Sequence, residues 1–189
     1  ISVVNALSKH LEVWVKRGGE EFNISFANSE KRSELEVVGK VGKANTGTRV
    51  RFWPDPQFFD SPKFSVKQLQ HNLRAKAVLC PGLEIHFHQE GQKDSDVWCY
   101  ADGLQDYLMD ELQGVRTLPE TPFIGAMAGN AEAADWAVLW LPEGGESVAE
   151  SYVNLIPTAQ GGTHVNGLRT GLTDAVREFC EFRNLLPRG

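Results

Sequence analysis

Apolar and polar residues alternate along the first third of the chain, a pattern typical of half-buried β-strands. The alternation runs through LEVWVKR (11–17), EEFNISFAN (20–28), SELEVVGKVG (33–42) and TRVRFWPD (48–55). Gly18 and Gly19 separate the first two runs, and a glycine pair suits a tight hairpin turn. The spacing therefore predicts an antiparallel meander over residues 11–53.

The pattern changes after the proline-rich stretch FWPDPQFFDSP (52–62), which is the predicted domain junction because Pro54, Pro56 and Pro62 interrupt regular structure. Beyond it, strands are predicted in LEIHFHQE (83–90), DVWCYA (96–101), PFIGAMAGN (122–130), DWAVLWLPE (135–143) and ESYVNLIPT (150–158). Helices are predicted in VKQLQHNLRAKAVL (66–79), with Ser65 as N-cap, in LQDYLMDEL (104–112), and in a final segment whose apolar stripe is Leu168, Leu172, Ala175, Phe179, Phe182 and Leu186. The fold class is therefore α+β, with crossover helices between strands.

Composition narrows the class of protein. With 189 residues, 41% hydrophobic and 23% charged, the chain reads as globular, and its net charge of −6 argues against a protein that coats nucleic acid. Cys80, Cys99 and Cys180 lie in apolar segments without metal-binding spacing, which predicts buried thiols in a reducing compartment. Since no apolar run has the length of a membrane span and no signal peptide is visible, we expect a cytoplasmic protein with no membrane contact.

The beginning of the chain also suggests an expectation. Ile1, Val4, Ala6 and Leu7 follow helical spacing, yet neither an initiator methionine nor a capping residue precedes them. A helix this short is marginal without tertiary support. We therefore expect the sequence to be an excised piece of a longer chain.

The loop AQGGTH (159–164) lies between a predicted strand and the final helix, where a phosphate-binding loop is one interpretation. Its glycines match neither the P-loop nor the dinucleotide spacing, so local chemistry favours a structural turn with Thr163 capping the helix. His164 has no serine or cysteine nucleophile beside it. Arg169, one turn into the helix, leaves solvent exposure and phosphate contact equally open.

Two further groups have a structural and a functional interpretation. His86, His88 and Glu84 share one face of a predicted strand and could ligate a metal, but a polar outer face is favoured. Trp136 and Trp140 share a strand face, which favours core packing over a base-stacking platform. Neither group alone assigns a function.

Several segments together resemble a known family. ISVVNALS, NTGTRVRFWPD, RAKAVLCPGLEI, WLPEGGE and SYVNLIPTAQGGTHVNGLR are similar to the ATPase-bearing subunits of bacterial type IIA topoisomerases, with the topoisomerase IV branch closer than the gyrase branch. The resemblance covers essentially the whole chain. It implies that residues 1–61 are the C-terminal part of a GHKL ATP-binding α/β sandwich. Residues 62–189 would be a transducer domain similar to ribosomal protein S5 domain 2, incomplete at its C-terminus.

The resemblance also implies roles for individual residues. Ile1 and Ser2 would border the adenine pocket, Thr48 would reach the adenine through a water, and Val50 would form an apolar wall. Arg17 matches an arginine at the pocket mouth that aminocoumarin inhibitors contact in relatives. For each of these positions, simple strand or loop packing is the alternative.

Arg169 would lie on a helix that helps line a cavity for DNA. The family's catalytic glutamate, Mg²⁺-binding asparagine and adenine-binding aspartate would precede Ile1, and its Gln-Thr-Lys loop would follow Gly189. No catalytic residue or metal ligand is therefore assigned within this sequence. As a whole polypeptide, the chain is expected neither to bind ATP tightly nor to hydrolyse it.

The function implied is ATP-driven passage of one DNA duplex through another, with ATP and Mg²⁺, homodimerisation on ATP binding, and a ParC-type DNA-cleaving partner subunit. The stretch from Pro54 to Pro62 is the expected hinge between the two parts. A gyrase B subunit is the near alternative. A MutL-type ATPase is disfavoured by IPTAQGGTHVNGLR (156–169), and a non-enzymatic nucleic-acid-binding S5-like module is disfavoured by the acidic total.

Overall fold

A computed structural model describes residues 1–61, 63–144 and 148–186. Pro62 of the predicted junction and the last two residues of the WLPEGGE segment lie outside the described residues. The chain divides into two compact units, Ile1–Val66 and Lys67–Gly189. Their identification with an ATP-binding part ending at residue 61 and a transducer part stays a prediction.

The first unit is built on one five-stranded sheet. Its elements are helix α1 (Ser2–Ala6), strands β1 (Ser8–Arg17), β2 (Glu20–Ala27), β3 (Glu30–Lys31), β4 (Glu36–Lys40) and β5 (Gly47–Pro54), and a 3₁₀ turn at Pro56–Phe58. All described pairings in this sheet are antiparallel. Gly18 and Gly19, with φ of 68° and 94°, form the β1–β2 turn as predicted, since that backbone suits residues without a Cβ.

The predicted meander is wrong in its strand order, which is β3-β2-β1-β5 with β4 also on β2. Strand β3 and strand β4 pair with opposite ends of β2 on the same side. Strand β5 pairs instead along β1, from Ser8–Pro54 to Lys16–Gly47. The ten-residue β1 is therefore paired with β2 on one side and with β5 on the other over most of its length.

The alternation predicted from sequence appears as two distinct faces of this sheet. One face carries Leu11, Val13 and Val15 of β1, Phe22, Ile24 and Phe26 of β2, and Thr48, Val50 and Phe52 of β5. Leu11 is completely buried. The opposite face carries polar and aromatic residues, including Trp14 and Arg49. Period-two patterning thus gave the faces correctly, although it did not give the order of the strands.

Within the described residues, the second unit has three helices and three separate two-stranded pairings. Its elements are α2 (Val66–Leu79, which starts at the last residue of the first unit), β6 (Ile85–His88), β7 (Ser95–Trp98), α3 (Leu104–Glu111), β8 (Leu118–Ala128), β9 (Ala133–Trp140), β10 (Tyr152–Val153), β11 (Ile156–Pro157) and α4 (Thr163–Phe182). The pairs β6–β7, β8–β9 and β10–β11 are each antiparallel. The protein therefore mixes helices and strands, as the α+β prediction requires.

The core of the second unit gathers around α2. Ala77 and Val78 are buried with Tyr100, and Ile85, Trp98, Leu104 and Tyr107 pack against them. A second tight contact lies in the β8–β9 hairpin, where Gly125 pairs with Trp136. A Cβ at Gly125 would overlap the Trp136 indole. Glycine is therefore required at this position because the ring lies against the backbone.

Several predictions for this unit are wrong. The ESYVNLIPT segment is not one strand but the β10–β11 pair, because Asn154 and Leu155 adopt positive φ and turn the chain. Thr163 does not cap α4: it is the first helical residue, Gly162 holds the N-cap position, and the cap makes no side-chain hydrogen bond. Trp140 is 43% exposed and packs edge-on against Phe123, so it is not a core residue.

The cysteines and the last helix also differ from expectation. Cys99 is exposed and Cys80 and Cys180 are half-buried, because the segments around them are only partly covered. The apolar stripe of α4 is present, yet the helix has no buried residue among those described, and Phe182 is 81% exposed. Helical periodicity identified the element but not what covers it.

Candidate nucleotide site

Thr48 and Val50 lie on the apolar face of the first-unit sheet. They are paired with Val15 and Val13 of β1, and both are exposed. Thr48 is the one polar residue among the nine described residues that were assigned to that face. An apolar wall that carries one exposed hydroxyl suits a ligand that is mostly apolar with a few hydrogen-bonding groups, and a nucleotide base is such a ligand.

Arg17 lies at the edge of the same face. It is the last residue of β1, two positions beyond Val15, and it pairs with Glu20 across the hairpin. Side chains two apart on a strand point to the same side of a sheet. Arg17 is exposed, so its guanidinium is accessible beside the row that contains Thr48.

Ile1 and Ser2 lie where the chain enters α1. Ile1 is 73% exposed, and its carbonyl accepts a hydrogen bond of 2.8 Å from the Asn5 amide. The end of α1 is joined to the sheet by the Asp55 amide, which donates to the Leu7 carbonyl at 2.9 Å. That joint is at the Pro54 end of β5, whereas Thr48 is near its Gly47 end. The structure therefore groups Arg17, Thr48 and Val50 and attaches α1 at the opposite end of the strand.

In the second unit, Arg169 lines a cleft of about 490 Å³ formed by residues of α2, α3, β9, α4 and the segment 148–152. The cleft is mostly apolar, with Tyr107, Tyr152 and Glu150 among its polar residues. Arg169 is exposed, and within the described residues its guanidinium makes no hydrogen bond or ion pair. It is therefore available to an external anion.

A polar network that sequence reasoning missed crosses this unit. Arg74 of α2 donates to the Tyr100 hydroxyl at 2.7 Å and forms ion pairs with Asp110 at 2.6 Å and with Glu111 at 2.5 Å. Its guanidinium carbon also lies 5.0 Å from the centroid of the Tyr107 ring. No spacing along the chain indicates these contacts, because the partners are 26 to 37 residues away.

Glu150 continues this network. Its two carboxylate oxygens accept hydrogen bonds from the Tyr107 hydroxyl at 3.0 Å and from the Tyr152 hydroxyl at 2.6 Å. Burial raises the pKa of both phenols well above the usual value, and the Glu150 charge and hydrogen bonds raise it further. A phenol is already protonated at neutral pH, and the raised pKa keeps both hydroxyls as donors at more alkaline pH as well.

Possible metal ligands do not gather in the described part of the chain. His86 contacts Glu84 at 2.5 Å on the exposed face of β6, and His88 is exposed on the same face. No group of three or more His, Cys, Asp or Glu residues that could hold a metal ion occurs within the described residues. These residues therefore do not fit a Mg²⁺ site of their own.

Comparison with known proteins identifies the class. The sequence model of the DNA gyrase B family matches residues 103–189. The chain belongs to the family of B subunits of bacterial type IIA topoisomerases. The B subunit of DNA topoisomerase 4 from Escherichia coli (strain K12) is 66% identical over 189 residues, which are 100% of this chain and 30% of that protein. The chain thus spans about a third of the length of the curated relatives it matches.

Solved structures agree with this class. The topoisomerase IV ATP-binding domain of Francisella tularensis, solved with a small-molecule inhibitor, is 42% identical with a TM-score of 0.74, over 95% of this chain and 48% of that one. The 43K ATPase domain of Thermus thermophilus gyrase B, solved with an aminocoumarin, is 30% identical with a TM-score of 0.82, over 100% of this chain and 51% of that one. The predicted family is therefore confirmed, whereas the roles given to Ile1, Ser2, Thr48, Val50, Arg17 and Arg169 stay predictions.

Proposed function

We propose that this chain is part of the ATP-hydrolysing subunit of a topoisomerase IV, which couples ATP binding and hydrolysis to closure of a dimer gate and passage of one DNA duplex through another. The observation that carries the proposal is the 66% identity with the E. coli protein across every residue of the chain. Within the described residues, no helix is both long and apolar enough to cross a membrane.

The first unit would contribute one wall of the nucleotide pocket. The Thr48 hydroxyl would bind the adenine through a water, and Val50 would pack against the base, with Ile1 and Ser2 bordering the pocket. Arg17 would lie at its mouth, where an aminocoumarin or another ATP-competitive inhibitor would contact it. The exposure of Arg17 and Thr48 beside an apolar face supports this assignment.

The catalytic glutamate and the ligand of Mg²⁺ would come from residues outside this chain. Bound Mg²⁺ would neutralise phosphate charge during hydrolysis. The role left for the described residues is to bind and orient the base.

The second unit would be the S5-like transducer, which transmits the nucleotide state. The stretch from Pro54 to Pro62 would act as its hinge to the ATP-binding part. Arg169, whose guanidinium makes no hydrogen bond or ion pair within the described residues, would contact DNA phosphate in the cavity through which the duplex passes. Two copies would associate on ATP binding, and a ParC-type subunit would cleave the DNA.

Decatenation tests the proposal directly. We expect the full-length protein that carries this chain, mixed with its DNA-cleaving partner, to separate interlinked DNA circles only with ATP and Mg²⁺. Mixtures that lack ATP, Mg²⁺ or one of the two subunits are the controls. The function is rejected if the complete mixture, with both subunits folded and with ATP and Mg²⁺ present, does not separate the circles.

A gyrase B subunit is the second candidate, because the matching family model is that of DNA gyrase B and the Thermus gyrase B domain is structurally similar. The two candidates differ in their product. A gyrase introduces negative supercoils into relaxed circles, whereas we expect this protein to relax and decatenate without supercoiling. ATP-dependent supercoiling would replace the first candidate with the second.

A further inference from the structure

Arg49 lies between Thr48 and Val50 on β5, and its side chain points to the opposite face of the sheet. Its guanidinium carbon is 3.9 Å from the centroid of the Trp14 ring. Trp14 is also its cross-strand partner, and the two neighbouring pairs are Val15–Thr48 and Val13–Val50. The stacked pair is therefore directly behind the two residues proposed to face the nucleotide.

Within the described residues, strand β5 pairs with β1 alone and is the last strand of its sheet, so cross-strand side-chain contacts add to the single backbone ladder that holds it. The stack on this face continues beyond Arg49, with the Arg51 guanidinium carbon 4.7 Å from the Trp53 ring centroid and the His10 and Trp53 rings 4.9 Å apart. Cross-strand pairs of this kind stabilise register on one side of a sheet. Because all side chains of β5 share one backbone, a change in its register would also displace Thr48 and Val50 on the other face of the sheet.

We propose that the Arg49–Trp14 stack is a positioning pair for nucleotide binding. It fixes β5 against β1, so that the Thr48 hydroxyl and the Val50 side chain keep the spacing that the base requires. Neither Arg49 nor Trp14 contacts the nucleotide, since both lie on the other face of the sheet. This inference rests on the proposed function, which gives the Thr48 face to the base.

The test uses the full-length protein and three ligands: a non-hydrolysable ATP analogue, adenosine, and tripolyphosphate, which has no base. For Arg49→Ala we expect the dissociation constants of the analogue and adenosine to rise by up to about fivefold, the upper limit set by the energy of one exposed cation–π contact. Binding of tripolyphosphate is expected to stay unchanged. In steady-state ATP hydrolysis, KM rises while kcat at saturating ATP does not change.

Further variants separate positioning from charge and from folding. Arg49→Lys keeps a cation above the ring and is expected to recover part of the affinity. Trp14→Ala should cost about as much as Arg49→Ala, and the double variant no more than either one, because both remove the same contact. Arg32→Ala removes an exposed arginine elsewhere in this unit and is expected to bind all three ligands as the wild type does.

Unchanged adenosine binding in Arg49→Ala overturns the inference, and so does an equal loss for tripolyphosphate or for Arg32→Ala. Additive losses in the double variant overturn it as well. A wild-type protein that binds neither the ATP analogue nor adenosine would instead reject the proposed function. The two failures are therefore distinguishable from the wild-type measurement alone.

Discussion

Different kinds of interaction stabilise the interior of each of the two units of the chain. In the first, long strands pair over most of their length, and the apolar face of the sheet contains Leu11, which is completely inaccessible to solvent. In the second, the described strands form three separate pairings that are each two strands wide, and side chains such as Arg74 and Glu150 connect elements far apart in the sequence. One continuous sheet therefore organises the first unit, whereas an apolar cluster and long-range polar contacts connect the separate strand pairs and helices of the second.

The difference matters for the functions proposed for the two units. A continuous ladder keeps one face of a strand in a fixed register, which suits a wall that recognises a base. A unit made of separate strand pairs and helices, joined partly by polar contacts beside its apolar cluster, can exchange those polar contacts between two arrangements, which suits a part that transmits a nucleotide state. The comparison predicts that the two units respond to different kinds of substitution.

The largest effect is expected at the centre of the first unit. Leu11→Ala removes the completely buried side chain and should lower the free energy of unfolding of this unit by about 2–5 kcal/mol. Urea unfolding gives the size of the loss, and hydrogen exchange shows which strands lose protection.

Leu35→Ala is the matched control, because Leu35 is 60% exposed and its truncation should change stability by less than about 0.5 kcal/mol. Protection lost equally in both units of Leu11→Ala would contradict the view that the first unit has a core of its own.

Leu11 also illustrates what the sequence could predict. Period-two alternation placed Leu11, Val13 and Val15 on one face, and the structure agrees. The same alternation could not tell that β5 pairs with β1 rather than β4, because local patterning carries no information about which strands become neighbours. The Trp14–Arg49 stack depends on that pairing, so it could not be predicted either.

The second unit was less predictable because, here too, local patterning does not specify which elements become neighbours. Its helices were found from their periodicity, but the positive φ of Asn154 and Leu155 splits a predicted strand into a hairpin without a glycine to signal the turn. The partners of Arg74 are set by tertiary packing and leave no local pattern. The candidate site residues came from a family resemblance, and the structure adds that Arg17, Thr48 and Val50 share a face.

The second-largest loss of stability is expected from a change in side-chain packing in the second unit. Gly125→Ala places a Cβ against the Trp136 indole and should destabilise the β8–β9 hairpin by about 1–3 kcal/mol. The measurement is urea unfolding followed through Trp136 fluorescence, with the other four of the five tryptophans replaced by phenylalanine in the reference protein.

Gly167→Ala is the control, since a Cβ at Gly167 of α4 meets nothing within 4 Å. Alanine there should stabilise the helix by about 0.5–1 kcal/mol. Destabilisation of similar size in both variants would show that the contact with Trp136 is not the cause.

A smaller effect is expected from the polar network. Arg74→Met keeps much of the side-chain bulk but removes the hydrogen bond to Tyr100 and the ion pairs with Asp110 and Glu111. The Arg74 side chain is 27% exposed, so solvent screens part of the interaction, and we expect a loss of about 1–2 kcal/mol.

Arg116→Met is the matched control, because the Arg116–Glu143 pair is 74% and 68% exposed and should contribute less than about 0.5 kcal/mol. Hydrogen exchange should place the Arg74→Met loss in α2 and α3. If both variants lose the same free energy of unfolding, the Arg74 network stabilises the unit no more than an exposed surface ion pair does.

The smallest effect is a dependence on alkaline pH that is confined to the second unit, which contains all three tyrosines of the chain. Burial, and then the hydrogen bond and charge of Glu150, raise the pKa of Tyr152 in the folded state. In the unfolded chain a phenol titrates near its ordinary value of about 10. Between the two pKa values the folded state binds the proton more tightly than the unfolded state does. The stabilisation from Tyr152 is therefore fully present below about pH 10 and is lost as the pH rises toward the folded pKa.

Tyr152→Phe removes this proton, so the free energy of unfolding of the second unit should fall less steeply above about pH 10 than in the wild type. Tyr107→Phe should have the same direction of effect, because its hydroxyl binds the other oxygen of Glu150. Titration of the lysines and cysteines is common to all variants and cancels in the difference between their pH profiles. Parallel profiles for Tyr152→Phe and the wild type would mean that the Glu150 contacts do not hold the β10 segment to α3, and the second unit would then need another source of its organisation.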